Sequence, residues 1–381
     1  MHVAINGWFW DHPYTGSGQY LRRLVQALRQ LEPDLKISLV LPPHNREPDE
    51  LPIHVDVITT GHSRRTGRVG KVWFEQVTFP RMAQRVAADL AHVPYWGPPL
   101  STRMPLVVSV LDVIPLQYPQ YALGAYNRLY VSLVSTAARG AAQIITISQT
   151  ARLDIEQRLG IPAERITATY LAQDERFHPK IGQERHPIVR RKYNLPEHYV
   201  LYLGGFDARK RVNDLLLAYT WVSEAEGDNY PLVIAGREPQ WGTPLFPDLR
   251  EYARRLNIED YVHWIGYVDE EDKPSLYRMA DVFVYPSEYE GFGLPPLEAM
   301  ACGTPVVTSN ALIFEEVLGS AAYAVEDARS MAGAILALLL QEPLRHTMIN
   351  QGLAQATRYS WRKTARATLD VYERVLQRAR A

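Results

Sequence analysis

The sequence holds a single cysteine, Cys302. It can form no disulfide within the chain and no thiol-based metal site, a usage that fits a reducing compartment. No uninterrupted apolar run reaches the roughly 18 residues that a membrane span requires. The opening "MHVAINGWFW" lacks the basic region and long apolar run of a secretory leader, and reads as a buried strand. A cytoplasmic protein is therefore expected. Neither sign of charge is in excess, since 41 Lys and Arg stand against 42 Asp and Glu for a formal net charge of −1. That balance excludes a nucleic-acid binder driven by overall charge. No D-x-D triplet occurs and the scattered histidines have no ligand spacing, so no metal site is expected. Internal repeats of roughly 20–50 residues and low-complexity tracts are absent too.

What is present is a chain of 381 residues, too long for one ordinary core and suited to two domains of roughly 150–200 residues each. Short apolar, β-branched runs alternate with helix-like segments, the pattern of parallel sheets with crossover helices. In the first half the expected strands are "HVAIN", "KISLVLP", "VDVITT", "ADLAHVP", "PLVVSVLDV", "QIITIS" and "ITATYL". A second series begins near residue 199 with "YVLYLGG", "PLVIAG", "VHWIGYV", "DVFVYPS" and "TPVVTS". The polar stretch 178–198 between the series reads as a linker, giving domains 1–180 and 181–359.

Three loops carry the chemistry. In "SEYEGFGLPPLEAMACGTPVV" (287–307), two carboxylates, Glu290 and Glu298, flank a glycine turn and a double proline. Ligands of doubly wound sheets bind beyond the carboxyl ends of strands, where this loop follows "DVFVYPS". Gly291 and Gly293 allow close approach of backbone to a ligand. Pro295 and Pro296 suit the first turn of a helix, whose free amide end suits a phosphate. Glu298, about one turn inside, suits paired ribose hydroxyls. Glu290, expected on the other side of the phosphates, suits sugar hydroxyls and positive charge developing at an anomeric carbon. The second loop is "YLGGFDARKRVNDLLLAY", where two glycines precede Arg209, Lys210 and Arg211; fixed cations there suit a diphosphate leaving group. The third is "PYTGSGQYLRRL", where Gly16 and Gly18 offer amides at a helix start. It is no dinucleotide fingerprint, because Leu21 stands where the third glycine belongs. Each loop alone also fits an ordinary solvated turn or loop–helix junction.

Together the three resemble the retaining glycosyltransferases of family 4, most closely the style of bacterial mannosyltransferases. The resemblance covers nearly the whole chain, including "ITISQTARLDIEQRLGIPAERI" and the closing "YSWRKTARATLDVY". It implies the α/β GT-B fold, with two Rossmann-like domains facing across a cleft and the segment from about 360 to 381 returning to the first domain. It implies that Glu290 contacts the donor sugar, Glu298 the ribose, and Arg209 and Lys210 the diphosphate. Amides of Gly18, Gly293 and Leu294 would join them, with Gly16, Gly205, Gly291 and Phe292 lining the nucleotide and the base resting near Tyr267. The implied reaction is same-face transfer of a hexose from a nucleoside diphosphate sugar, GDP-mannose before a UDP-hexose, to a hydroxyl of a glycan or lipid-linked acceptor. No cofactor beyond the donor is implied.

One position departs from the family pattern. Leu111 precedes Asp112 in "SVLDVIP", where many relatives have a histidine near the transferred sugar. Asp112 remains a candidate, as does His92 in "LAHVPYWGPP", near the end of an expected strand, which equally suits a hydrogen-bonded structural residue. A non-catalytic nucleotide-sugar binder on the same scaffold and an NAD-dependent oxidoreductase are the alternative readings. Residues 62–85 combine Arg64, Arg65, Arg68, Lys71, Arg81 and Arg85 with Trp73, Phe74 and Phe79. They suit an acceptor groove, peripheral contact with an anionic membrane, or a loop followed by a helix whose aromatic face belongs to the core.

Overall fold

The computed structural model describes residues 1–43, 55–60 and 67–380. The chain divides into two compact units, Met1–Leu171 together with Ser360–Ala381, and Ala172–Tyr359.

Among the described residues the first unit holds seven parallel strands: β1 (His2–Asn6), β2 (Lys36–Leu41), β3 (Val55–Thr59), β4 (Leu90–Val93), β5 (Leu106–Ser109), β6 (Gln143–Thr146) and β7 (Ile166–Ala168), in the order β3-β2-β1-β4-β5-β6-β7. Strands β1, β4, β5 and β6 are buried along their whole length, which is why they read as continuous apolar runs rather than alternating ones. The closing helix Trp361–Arg380 packs on the helix Gly16–Leu31. It buries Ala365, Leu369, Tyr372 and Val375, spaced three or four residues apart. Each fully buried Leu or Val there contributes roughly 1.5–3 kcal/mol of transfer free energy.

The second unit holds six parallel strands: β8 (Val200–Leu203), β9 (Leu232–Ala235), β10 (Val262–Gly266), β11 (Val282–Tyr285), β12 (Val306–Ser309) and β13 (Ala322–Val325), in the order β10-β9-β8-β11-β12-β13. The first twelve strands coincide with the expected runs. The thirteenth, "AYAV", pairs only with β12 at the sheet edge, and its two central residues are exposed. It is poor in the β-branched residues that mark its neighbours, with Val325 alone.

The stretch 178–198 is not a free linker. It contains the helix His186–Lys192 and belongs to the second unit. Its polar residues converge on one buried carboxylate, Asp272, which is 1% exposed. Arg185 reaches Asp272 Oδ1 at 2.6 Å, Lys192 reaches Oδ2 at 2.6 Å, and Tyr193 donates to Oδ2 at 3.0 Å. The boundary falls at 171/172 rather than 180/181. Phe177 packs 5.9 Å from the ring of Tyr277, and Gln173 donates to the carbonyl of Ala356 at 3.2 Å.

Of residues 62–85, the first five, Arg64 and Arg65 among them, lie outside the described residues. The rest forms helical turns Gly67–Trp73 and Phe79–Arg85 joined by a π-helical turn, Phe74–Thr78. Phe74 and Phe79 are buried while Trp73 is exposed, so most of the aromatic face belongs to the core. The wide turn also buries Glu75, which accepts from Tyr130 Oη at 2.9 and 3.0 Å and lies 3.6 Å from Lys71 Nζ. Burial raises its carboxyl to about 7 against the pull of Lys71.

Candidate functional site

In the second unit the β8 and β11 loops are stitched into one site. Beyond β8, Gly204 and Gly205 lead into a single 3-10 turn, Ala208–Lys210. Arg211, at φ 51°, then turns the chain into the helix Val212–Glu226 and is held there by Asp214 at 2.6 Å. That turn buries Arg209 and Lys210, 7% and 8% exposed. Beyond β11, the N–H of Glu288 donates to the carbonyl of Arg209 at 2.9 Å, and Arg209 donates to the carbonyl of Tyr289.

Glu290 sits where the loops meet. Its Oε1 accepts from Lys210 Nζ at 2.5 Å, Ser287 Oγ at 2.7 Å and Tyr285 Oη at 3.1 Å, with Arg209 at 3.1 Å. Burial alone raises a carboxyl, but Lys210 and Arg209 outweigh it and hold Glu290 down at about 2. The carboxylate is therefore ionised and fixed at one oxygen, while Oε2 has no donor among the described residues. Glu290 thus stands directly beside the two cations of the β8 loop. Lys210 also donates to Tyr285 Oη at 2.7 Å. Ser287 and Tyr285 are parts of the site that the sequence reading missed. The available signal was a tyrosine ending a buried strand, since a buried phenol needs a polar partner.

The helix Leu294–Ala301 begins at Gly293, φ 93°, with prolines in its first turn and no side-chain cap. A Cβ at Gly293 would lie 3.0 Å from the ring of Phe314, so the position suits glycine on two counts. The uncapped amide end at Gly293 and Leu294 is an anion site by geometry. Glu298 lies one turn along and accepts from Tyr277 Oη at 3.1 Å; burial raises its carboxyl. Gly291 and Phe292 are buried, with the Phe292 ring packed 5.6 Å from that of Tyr359, so its side chain belongs to the core. Tyr267, just beyond β10, is exposed.

The remaining candidates belong to the first unit. Gly16 and Gly18 start the helix Gly16–Leu31, but the N–H of Gly18 is not free for an anion, because it donates to the capping Thr15 Oγ1 at 3.1 Å. Asp112 Oδ1 accepts from the N–H of Ile114, two residues on, at 3.0 Å, just ahead of a short helical turn. His92 is fully buried, its Nδ1 2.6 Å from Tyr372 Oη and its Nε2 2.8 Å from Ser109 Oγ. Burial pushes its imidazole down to about 3, so the ring is neutral and both nitrogens are engaged. Ser109 continues the chain of hydroxyls to Tyr20 at 3.0 Å. This buried string ties the closing helix to β4, β5 and the first helix.

Comparison with known proteins decides the family. The profile "Glycosyltransferase Family 4" matches residues 14–174, and "Glycosyl transferases group 1" matches residues 187–355. O-antigen chain mannosyltransferase B of Escherichia coli is 31% identical over 95% of this chain and 97% of its own. The chain belongs to the family 4 glycosyltransferases. This glycosyltransferase also matches the serotype-specific mannosyltransferase WbdA of E. coli, at 30% identity over 70% of the chain but only 33% of that longer protein. Among solved structures, sucrose-phosphate synthase from Thermosynechococcus elongatus superposes with a TM-score of 0.75 at 21% identity, covering 99% of both chains. WaaG, a glycosyltransferase involved in lipopolysaccharide biosynthesis, does so with a TM-score of 0.72 at 18% identity, covering 97% of this chain and 99% of its own. The fold is GT-B. Membership also removes the oxidoreductase reading. Among the described residues of this glycosyltransferase no helix is long and apolar enough to cross a membrane.

Proposed function

We propose that the protein transfers mannose from GDP-mannose to a hydroxyl of a growing glycan, with retention at the anomeric carbon. The observation that carries the reading is Glu290, ionised, bound through one oxygen to Lys210, Ser287 and Tyr285, and open at the other. The two E. coli relatives, both mannosyltransferases by name, support mannose over another hexose. A UDP-hexose is the next donor, since the Anabaena HepE structure that superposes with a TM-score of 0.71 holds UDP and glucose.

In this reading Arg209 and Lys210 take up the charge that grows on the diphosphate as the bond from the anomeric carbon to the phosphate oxygen breaks. The Gly293 and Leu294 amides assist. The electron pair leaves with the phosphate. The acceptor oxygen bonds to the anomeric carbon on the same face and gives its proton to that departing oxygen, so no separate base is needed. Glu290 holds sugar hydroxyls and stabilises the cationic carbon; Glu298 holds the ribose. No cofactor beyond the donor takes part.

The two glutamates separate experimentally. Glu298→Ala is expected to weaken GDP and GDP-mannose alike, on the order of 10-fold or more for a lost hydrogen bond to a charged group. Glu290→Ala is expected to leave GDP affinity nearly intact while turnover falls. Equal loss of GDP affinity in both variants, measured by calorimetry, contradicts the assignment.

A further inference from the structure

Three glycines draw the ends of β8, β9 and β10 together. Gly236, the first residue beyond β9, has φ 156°, and a Cβ there would lie 2.1 Å from the carbonyl oxygen of Gly204. Its N–H donates to the carbonyl of Gly266 at 2.8 Å. Arg237 therefore follows directly on the packing against Gly204, which opens the loop that carries Arg209 and Lys210, and Tyr267 follows Gly266 on the neighbouring strand β10.

Arg237 and Tyr267 touch. The guanidinium carbon lies 5.3 Å from the centre of the Tyr267 ring, inside the range of attraction between a cation and an aromatic face. Arg237 is exposed, and its side chain has no carboxylate partner among the described residues. The neighbouring carboxylate that would otherwise neutralise it, Glu238, is committed elsewhere. Glu238 Oε1 accepts from Arg250 at 2.6 Å, and its Oε2 accepts from Arg250 at 3.0 Å and from Trp241 Nε1 at 3.2 Å. Arg250 in turn lies 4.8 Å over the ring of Trp264, and Trp241 packs 5.4 Å from Phe206. The loop after β9 is thus braced on one side and presents one uncommitted guanidinium on the other.

We propose that Arg237 reads the base of the donor and selects guanine. The guanidinium fork offers parallel N–H donors in one plane, which matches two acceptors side by side. Guanine presents that pair as O6 and N7; adenine sets an amino donor beside N7. Uracil offers O4 flanked by an N–H and a C–H. Tyr267 holds the fork by its face and leaves the edge to the base. The inference rests on the reading that a nucleoside diphosphate sugar binds at this edge of the sheet, and it names the residue that would make GDP the preferred carrier.

The test is calorimetry with GDP, 7-deaza-GDP, ADP and UDP on the wild-type protein, Arg237→Ala and Arg237→Lys. The wild type is expected to favour GDP over the other three by on the order of 10- to 100-fold, the scale of one bidentate contact. Arg237→Ala is expected to bring GDP down to the level of 7-deaza-GDP while UDP affinity stays unchanged, and Arg237→Lys to restore only part of the preference. An Arg237→Ala protein that keeps its GDP preference, or that loses all four nucleotides equally, overturns the role of Arg237 and leaves the donor reading standing. A wild type that binds UDP or ADP as tightly as GDP overturns both. An unchanged melting temperature in Arg237→Ala is expected for so exposed a residue, and ensures that the comparison reports binding.

Discussion

Lys210→Ala is expected to lower kcat/KM by about 100- to 1,000-fold, the scale for losing one preorganised electrostatic contact to developing charge. The size follows from its position. Lys210 is 8% exposed, bonded to Glu290 Oε1 at 2.5 Å and to Tyr285 Oη at 2.7 Å. Two of its three N–H donors therefore fix the ammonium and leave the third for a ligand. A charge already held in place needs no reorganisation when the diphosphate departs. The same burial makes the variant less stable. Removing one partner of a buried ion pair costs about 3–5 kcal/mol, here lessened because Arg209 at 3.1 Å and Ser287 at 2.7 Å still hold the carboxylate. Rates therefore have to be referred to folded protein. Glu290→Gln keeps the shape and the bond from Ser287 but removes the charge, and turnover is expected to fall on a similar scale. Turnover of folded Lys210→Ala within a few-fold of wild type contradicts the role of the ammonium.

Gly18→Ala is expected to destabilise the first unit by about 3 kcal/mol, at the upper end of overpacking effects. A Cβ on Gly18 would lie 2.0 Å from the carbonyl oxygen of His12 and 2.9 Å from that of Phe9. Both obstacles are backbone, so no side chain can swing aside, and the whole turn before the helix has to move. The turn cannot move freely, because Thr15 caps the helix through the N–H of Gly18 at 3.1 Å and donates to the carbonyl of His12 at 2.8 Å. Gly16→Ala is the matching control. A Cβ there meets nothing within 4 Å, and alanine at a helical position is neutral or stabilising by up to about 1 kcal/mol. Thermal unfolding of the two variants is expected to differ widely, and equal melting temperatures contradict the packing account.

That pair also shows where sequence reading reached and where it stopped. The two glycines look alike in "TGSG", and both read as offering amides to an anion. The Ser/Thr position three residues before Gly18 was a legible capping signal, yet the carbonyl of His12 against Gly18 is a close approach that only the folded turn creates. The strands of both sheets were legible because buried parallel strands write themselves as apolar runs. "AYAV" was not, because its alanines and single β-branched residue do not mark it as a strand. The polar stretch 178–198 read as solvated because polarity alone does not show that Arg185, Lys192 and Tyr193 share one buried carboxylate, Asp272. In the site, spacing found the right loops: Arg209 and Lys210 after β8, Glu290 and Glu298 around the β11 turn. It could not show that Glu290 and Lys210, 80 positions apart, are bonded, nor that Tyr285 and Ser287 complete their shell. Side-chain convergence from two loops is a property of the sheet that aligns them. For His92, the end of a buried strand was foreseen, but its two hydroxyl partners come from β5 and the closing helix.

The central claim is retaining transfer of mannose from GDP-mannose, and one measurement tests it most directly. The purified protein is incubated with carbon-13-labelled GDP-mannose, and in parallel with UDP-glucose and UDP-galactose, in the presence of a mannose-terminated oligosaccharide. The anomeric configuration of any product is then read by NMR from the one-bond carbon–proton coupling. The account predicts a mannosylated product from GDP-mannose alone, with the α configuration of the donor kept, and its disappearance in Glu290→Gln. A β-linked product, or transfer from a UDP-hexose with none from GDP-mannose, contradicts it.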